Sequence, residues 1–158
     1  MKGNKINIGC YHMKLDGFTN IDINPDCCPD VCGDIRNMKF PDNSVDLILA
    51  SQVIEHFDSV DVKELFLRFY KCLKSDGHLI IEVPDVGKIL DMVEGGDDID
   101  KYQNAIYGED TVMGMKHKIQ FDSNLLTSML QEAGFNNIVK NNKTSDNDEI
   151  TLRYDVKK

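Results

Sequence analysis

One short apolar run constrains this chain more than any other feature. Val45-Asp46-Leu47-Ile48-Leu49-Ala50 follows the turn Pro41-Asp42-Asn43-Ser44 and gives way abruptly to Ser51-Gln52-Val53-Ile54-Glu55-His56. A run this short, apolar and turn-bounded suits a buried strand of a parallel sheet. In an open α/β sheet, ligands bind just beyond the carboxyl ends of the strands. Ser51, Gln52, Glu55 and His56 therefore fall where a site would lie, although a strand followed by an ordinary capped helix would use the same residues.

The rest of the chain supplies companions for that strand. Strands are expected at Lys5 to Ile8, Phe18 to Ile21, Val31-Cys32 and His78 to Val83, the last stopped by Pro84, which cannot donate a ladder hydrogen bond. Val62, Leu65, Phe66, Phe69 and Leu73 form one helical stripe, with Asp61 and Glu64 in capping-box spacing and Ser75-Asp76-Gly77 as the turn that follows. A shorter helix is expected over Val86 to Val93 with Asp85 as its cap. A third is expected over Ser123 to Ala133, closed by Gly134 and an apolar contact from Phe135. Two closing strands, Asn137 to Lys140 and Ile150 to Tyr154, flank a polar hairpin loop from Asn141 to Glu149. Residues 97–121 are irregular, as a lid or binding loop would be. The pattern predicts one α/β domain over residues 1–158: a Rossmann-like, doubly wound, three-layer α/β/α fold. Its seven-stranded sheet is mainly parallel and carries an antiparallel C-terminal hairpin.

Composition narrows the functional classes. The net charge of −9 argues against nucleic acid as a partner, since affinity there comes largely from Lys and Arg neutralising phosphates. No apolar run approaches the roughly 20 residues of a membrane span, and Met1-Lys2-Gly3-Asn4-Lys5 has no signal-peptide core, so a cytoplasmic location is expected. Five cysteines, an odd number, suggest reduced thiols. Cys27, Cys28 and Cys32 cluster, but a structural zinc site wants four ligands, usually in two close pairs. No second pair follows, so no metal is expected.

The strand ends form a series. The first delivers Gly9-Cys10, the second Asp22 and the third Asp34. A glycine after the first strand lets a ligand approach the backbone, and an acid ending the second can accept hydrogen bonds from ribose hydroxyls. A nicotinamide dehydrogenase would need G-x-G-x-x-G and an acid about 20 residues further on. Here thirteen residues separate Gly9 from Asp22 and that glycine pattern is absent.

The order of motifs resembles the class I S-adenosylmethionine-dependent methyltransferases of compact bacterial type. The residues that carry the resemblance are Asn7-Ile8-Gly9-Cys10, Gly17-Phe18-Thr19-Asn20-Ile21-Asp22, Gly33-Asp34-Ile35, Phe40 to Asp46, Ser51 to His56, Leu73 to Leu79 and Val83-Pro84-Asp85. His117 to Asp122 and Glu132-Ala133-Gly134-Phe135 continue it. The resemblance implies S-adenosylmethionine as cofactor. Gly9 and Cys10 would lie along its methionine portion and Asp22 at the ribose, with Tyr11 and Ile23 also among the cofactor contacts. Asp34 and Ile35 would lie at the adenine, and Ser51 and Gln52 beneath the sulfonium. Tyr11 departs from the pattern, because the family usually has a second glycine there; it would stack on the cofactor, crowd it, or sit in a surface turn.

Methyl transfer asks the protein mainly for positioning. A hydroxyl or amine acceptor also needs a base near its proton. His56 leads the candidates because its ordinary pKa lies near neutrality; Glu55 and His117 follow. Family likeness suggests a small-molecule or carbohydrate acceptor and leaves a homodimer open. The competing reading is a degenerate member of the fold that binds a nucleotide-like ligand or a partner without catalysis.

Overall fold

The computed structural model describes residues 4–109, 114–141 and 149–158. Seven strands form one sheet: β1 (Lys5–Ile8), β2 (Thr19–Asp22), β3 (Val31–Cys32), β4 (Val45–Ser51), β5 (Leu73–Pro84), β6 (Asn137–Asn141) and β7 (Thr151–Lys157). Their order is β3-β2-β1-β4-β5-β7-β6. The pairs from β3 to β5 are parallel, and β7 is antiparallel to both β5 and β6. This is the predicted topology. The polar run expected as the β6–β7 loop lies mostly outside the described residues.

Among the described residues four helices follow β4: α1 (Ser59–Cys72), α2 (Val86–Glu94), α3 (Gln103–Tyr107) and α4 (Ser123–Glu132). The connections among β1, β2, β3 and β4 hold only short 3-10 turns. Helix α1 buries Val62, Leu65, Phe66 and Phe69 as its periodicity predicts. Its cap is Asp58, whose carboxylate accepts from Val60 N and Asp61 N at 3.1 and 3.0 Å, so the Asp61–Glu64 capping box is not used. The helix thus gains a turn at its start. Asp61 is instead paired with Arg36 at 2.8 Å.

Leu73 does not extend the α1 stripe but opens β5. Val45 faces Leu73, and Leu47 faces His78, so the expected Ser75-Asp76-Gly77 turn is absorbed as an irregularity of the strand. The end of α4 follows expectation closely. Gly134 adopts φ +107°, its N–H donates to Gln131 O at 3.0 Å, and Phe135 N donates to Leu130 O at 3.1 Å. Those two bonds make a Schellman end, and Phe135 is fully buried edge-on to Tyr70.

The core lies where Ile48, Ala50, Leu79, Ile81, Leu152 and Val156 meet the aromatic and aliphatic residues of α1 and α4. Side chains alternate across a strand, so Leu49, Ser51, Ile80, Glu82, Arg153 and Asp155 belong to the opposite face. Those residues pair laterally, Leu49 with Ile80 and Ser51 with Glu82 and then Arg153. That face positions the site.

Candidate functional site

A cavity of about 840 Å³ opens at the carboxyl ends of β1, β2 and β4 and spreads over that sheet face. Its floor includes Asn7, Leu49, Ile80, Glu82 and Arg153, and its rim carries Gly9, Cys10, Tyr11, Asp22, Ile23, Asp34, Ile35, Ser51, Gln52 and His56. Every predicted cofactor contact therefore lines one cavity, together with the segment Gly114 to Lys116 and Lys118. Of the predicted catalytic residues, only His56 lines it; Glu55 and His117 line a second, tight pocket with no room for a water.

The first strand end turns sharply. Gly9 has φ +64°, and a Cβ built there would lie 2.5 Å from Val53 Cγ2. Only glycine combines that backbone with that approach. Tyr11 also lies in the left-handed region, at φ +42°, and Gln52 at φ +52°. The Tyr11 side chain is 48% exposed and packs on His12, with ring centroids 4.2 Å apart. It stands at the rim as a turn residue, and the cavity keeps its volume.

Asp22 ties two loops together. Its Oδ2 accepts from Tyr11 N at 2.7 Å and its Oδ1 from Asn24 N at 2.9 Å. A carboxylate offers about four acceptor positions, so capacity remains toward the cavity for paired hydroxyls. Asp34 is more fully committed. It caps a 3-10 turn through Arg36 N at 2.9 Å and takes the Arg36 guanidinium on both oxygens at 2.6–3.1 Å. The guanidinium holds the Asp34 carboxyl below the usual carboxylate range. Arg36 in turn lies over the Phe57 ring at 5.6 Å.

Two residues of the floor escaped the sequence reading. Glu82 is wholly buried; its Oε2 accepts from Ser51 Oγ at 2.6 Å and its Oε1 from Arg153 Nη1 at 3.1 Å. Arg153 Nε continues to Asp155 at 3.2 Å, and Asp155 accepts from Asn141 at 2.6 Å. A lone carboxylate inside the apolar run Leu79-Ile80-Ile81-Glu82-Val83 was the available signal, but its partner lies 71 residues away.

Glu55, His56 and His117 do come together. One ligand atom from each lies within 4.8 Å of the others, and the two imidazoles stand 5.0 Å apart, tilted by 58°. His56 Nδ1 faces Lys116 O at 3.3 Å and His117 Nδ1 faces Ala105 O at 3.0 Å. Burial lowers the pKa of both imidazoles, with their mutual proximity adding to the effect on His117. Glu55 is 1% exposed, neither carboxyl oxygen has a hydrogen-bond partner, and burial pushes its pKa up to about 8. Among the described residues no other group of three His, Cys, Asp or Glu side chains is close enough to hold a metal. Of the cysteine cluster, Cys27 is buried while Cys28 and Cys32 are exposed.

Residues 13–81 match the family model of a methyltransferase domain. That match spans less than half of the chain, and the fold as a whole is the one seen in solved S-adenosylmethionine-dependent methyltransferases. An S-adenosylmethionine-dependent methyltransferase from Archaeoglobus fulgidus shares the fold with a TM-score of 0.71 and 18% identity, covering 98% of this chain and 85% of that one. The 1,6-didemethyltoxoflavin-N1-methyltransferase of Burkholderia thailandensis, solved with its substrate and S-adenosylhomocysteine, gives a TM-score of 0.64 at 12% identity, covering 98% of this chain and 70% of that one. A Haloferax volcanii protein solved in complex with the Trm112 methyltransferase activator gives 0.66 at 11% identity, covering 97% of this chain and 81% of that one. No curated protein matches the sequence. No helix among the described residues is long and apolar enough to cross a membrane.

Proposed function

We propose that the domain transfers the methyl group of S-adenosylmethionine to a hydroxyl or amine of a small molecule or carbohydrate. The observation that carries this reading is the single cavity joining Gly9, Asp22 and Ser51 at consecutive strand ends with His56 at its rim. Asp22 uses its remaining acceptor positions for the ribose hydroxyls, with Ile23 beside it. Gly9, Cys10 and Tyr11 lie along the methionine portion. Ile35 is the apolar wall for the adenine, next to Asp34, which Arg36 already holds. Ser51 and Gln52, fixed by the Ser51–Glu82 hydrogen bond, lie beneath the sulfonium.

S-adenosylmethionine supplies an activated methyl group when bound, so the chain's contribution is orientation and exclusion of water. His56 is the titratable group at the cavity wall, and its lowered pKa keeps the imidazole neutral and able to take a proton from an acceptor. Glu55 and His117 lie behind it and set its surroundings. Lys116 and Lys118 line the same cavity and suit an acceptor rich in oxygen atoms. With a net charge of −9, the surface does not favour nucleic acid.

Transfer of a labelled methyl group from S-adenosylmethionine into fractionated cell extract tests the reading. Label in a small-molecule or saccharide fraction, lost in His56→Ala, supports it. Label confined to nucleic acid or protein, or cofactor binding with no transfer to any fraction, overturns it.

A further inference from the structure

Glu55, His56 and His117 are a carboxylate and two imidazoles converging at the wall between the cavity and the tight pocket behind it. We propose that they form a binding site for one divalent first-row metal ion of the zinc type, with an open position toward the cavity. This inference goes beyond the methyl-transfer reading and does not rest on it.

Three observations support the site. The Glu55 carboxyl is buried with both oxygens unpartnered, and among the described residues Thr19 Oγ1 is the one other buried side-chain polar atom without a partner. An unsatisfied buried carboxyl in a native fold calls for a specific explanation, and an ion is one. The imidazoles are also oriented for ligation. Each presents Nδ1 to a backbone carbonyl, Lys116 O for His56 and Ala105 O for His117. A carbonyl only accepts, so Nδ1 carries the proton and the Nε2 lone pair is left for a metal. Metal-binding histidines are commonly fixed by such a bond on the far nitrogen. The donor set itself matches two imidazoles and a carboxylate, a set found in zinc sites that keep a fourth position open.

The geometry is near closure. Zinc lies about 2.0–2.2 Å from such donors, which places them about 3.4 Å apart. The present limit of 4.8 Å contracts to that value if each side chain shifts by about an ångström. Imidazole donors favour zinc, cobalt, nickel, copper or iron over magnesium or calcium. His56 can act as a base or as a ligand but not as both at once, so metal loading and the base role are alternatives.

Cobalt(II) titration of the chelator-stripped full chain tests the proposal, with visible absorption as the readout and chelator competition giving zinc affinity. The expected result is one metal per chain, a d–d spectrum without thiolate charge-transfer bands, and a rise in melting temperature with zinc. Glu55→Gln and His117→Ala should each weaken zinc binding by more than the ~10–100-fold typical of losing an outer hydrogen-bond partner. Glu55→Gln keeps the size and polarity of the buried, protonated carboxyl and so provides a folded control. Thiolate bands would place the metal on the cysteines and overturn the proposal. Equal affinity in wild type and both variants, or no stoichiometric binding, would also overturn it. Because neither readout involves S-adenosylmethionine, failure here is distinct from failure of the methyl-transfer reading.

Discussion

Ser51 Oγ donates to Glu82 Oε2 at 2.6 Å across the β4–β5 pair, so a residue at the cavity rim is anchored to a carboxylate that is fully buried in the sheet. Arg153 balances the same carboxylate from the antiparallel strand β7. The cavity end of the sheet and its C-terminal hairpin are thereby one electrostatic unit.

Breaking that unit should be costly. Removing one partner of a buried ion pair typically costs about 3–5 kcal/mol. Arg153→Met removes the cation that Glu82 Oε1 accepts from and is expected to destabilise by that order. Glu82→Gln with Arg153→Met together should recover part of the loss. Denaturant unfolding of the two variants checks this, and equal stability of single variant and wild type would refute it.

Gly9→Ala should damage both folding and the site. The left-handed backbone costs a non-glycine residue roughly 1–2 kcal/mol, and the clash with Val53 adds the roughly 1–3 kcal/mol of overpacking. A loss of about 2–5 kcal/mol is expected from their sum. Val53→Ala added to Gly9→Ala should restore only part of it, since the Val53 Cβ would still lie 2.8 Å away and the backbone strain would persist. Thermal melting of the wild type and the two variants is the measurement.

Asp30 gives a signed pH dependence. Asn20 donates to it from both its backbone and its side chain, each at 2.9 Å, and Lys14 lies at 3.2 Å. These bonds hold its pKa at about 2, below the ordinary 3.8. A depressed carboxylate contributes stability above its unfolded pKa and loses it as pH falls through the folded value. Asp30→Asn should therefore be less stable than wild type at neutral pH, with the gap closing between roughly pH 4 and pH 2. A gap that stays constant over that window would contradict the assignment.

The legible and illegible parts of this chain divide by range of interaction. Val45 to Ala50 and His78 to Val83 were readable as strands because a buried parallel strand needs a short apolar run, and the strand ends followed from topology. The α4 terminus was readable because Gly134 and Phe135 act locally. The α1 cap was misplaced because Asp58 and Asp61 are chemically equivalent candidates, and only the pairing of Asp61 with Arg36, 25 residues away, separates them. The start of β5 was hidden because a turn-like Ser75-Asp76-Gly77 can be absorbed by an irregular strand pairing. Glu82, Arg153 and the meeting of Glu55 with His117 depend on contacts between distant segments, which no local pattern records. Tyr11 both lines the cavity and is 48% exposed at its rim, so sequence alone could not choose between cofactor reach and surface exposure.

Calorimetric titration of S-adenosylmethionine into the full chain and its Asp22→Ala variant tests the central claim most directly. A hydrogen bond to a charged group contributes about 1.5–3 kcal/mol, roughly a 10–100-fold change in affinity. The account predicts one-to-one micromolar binding to the wild type, weakened by that factor in the folded variant. No heat of binding to folded wild-type protein at millimolar cofactor, or identical affinity in the two proteins, would contradict it.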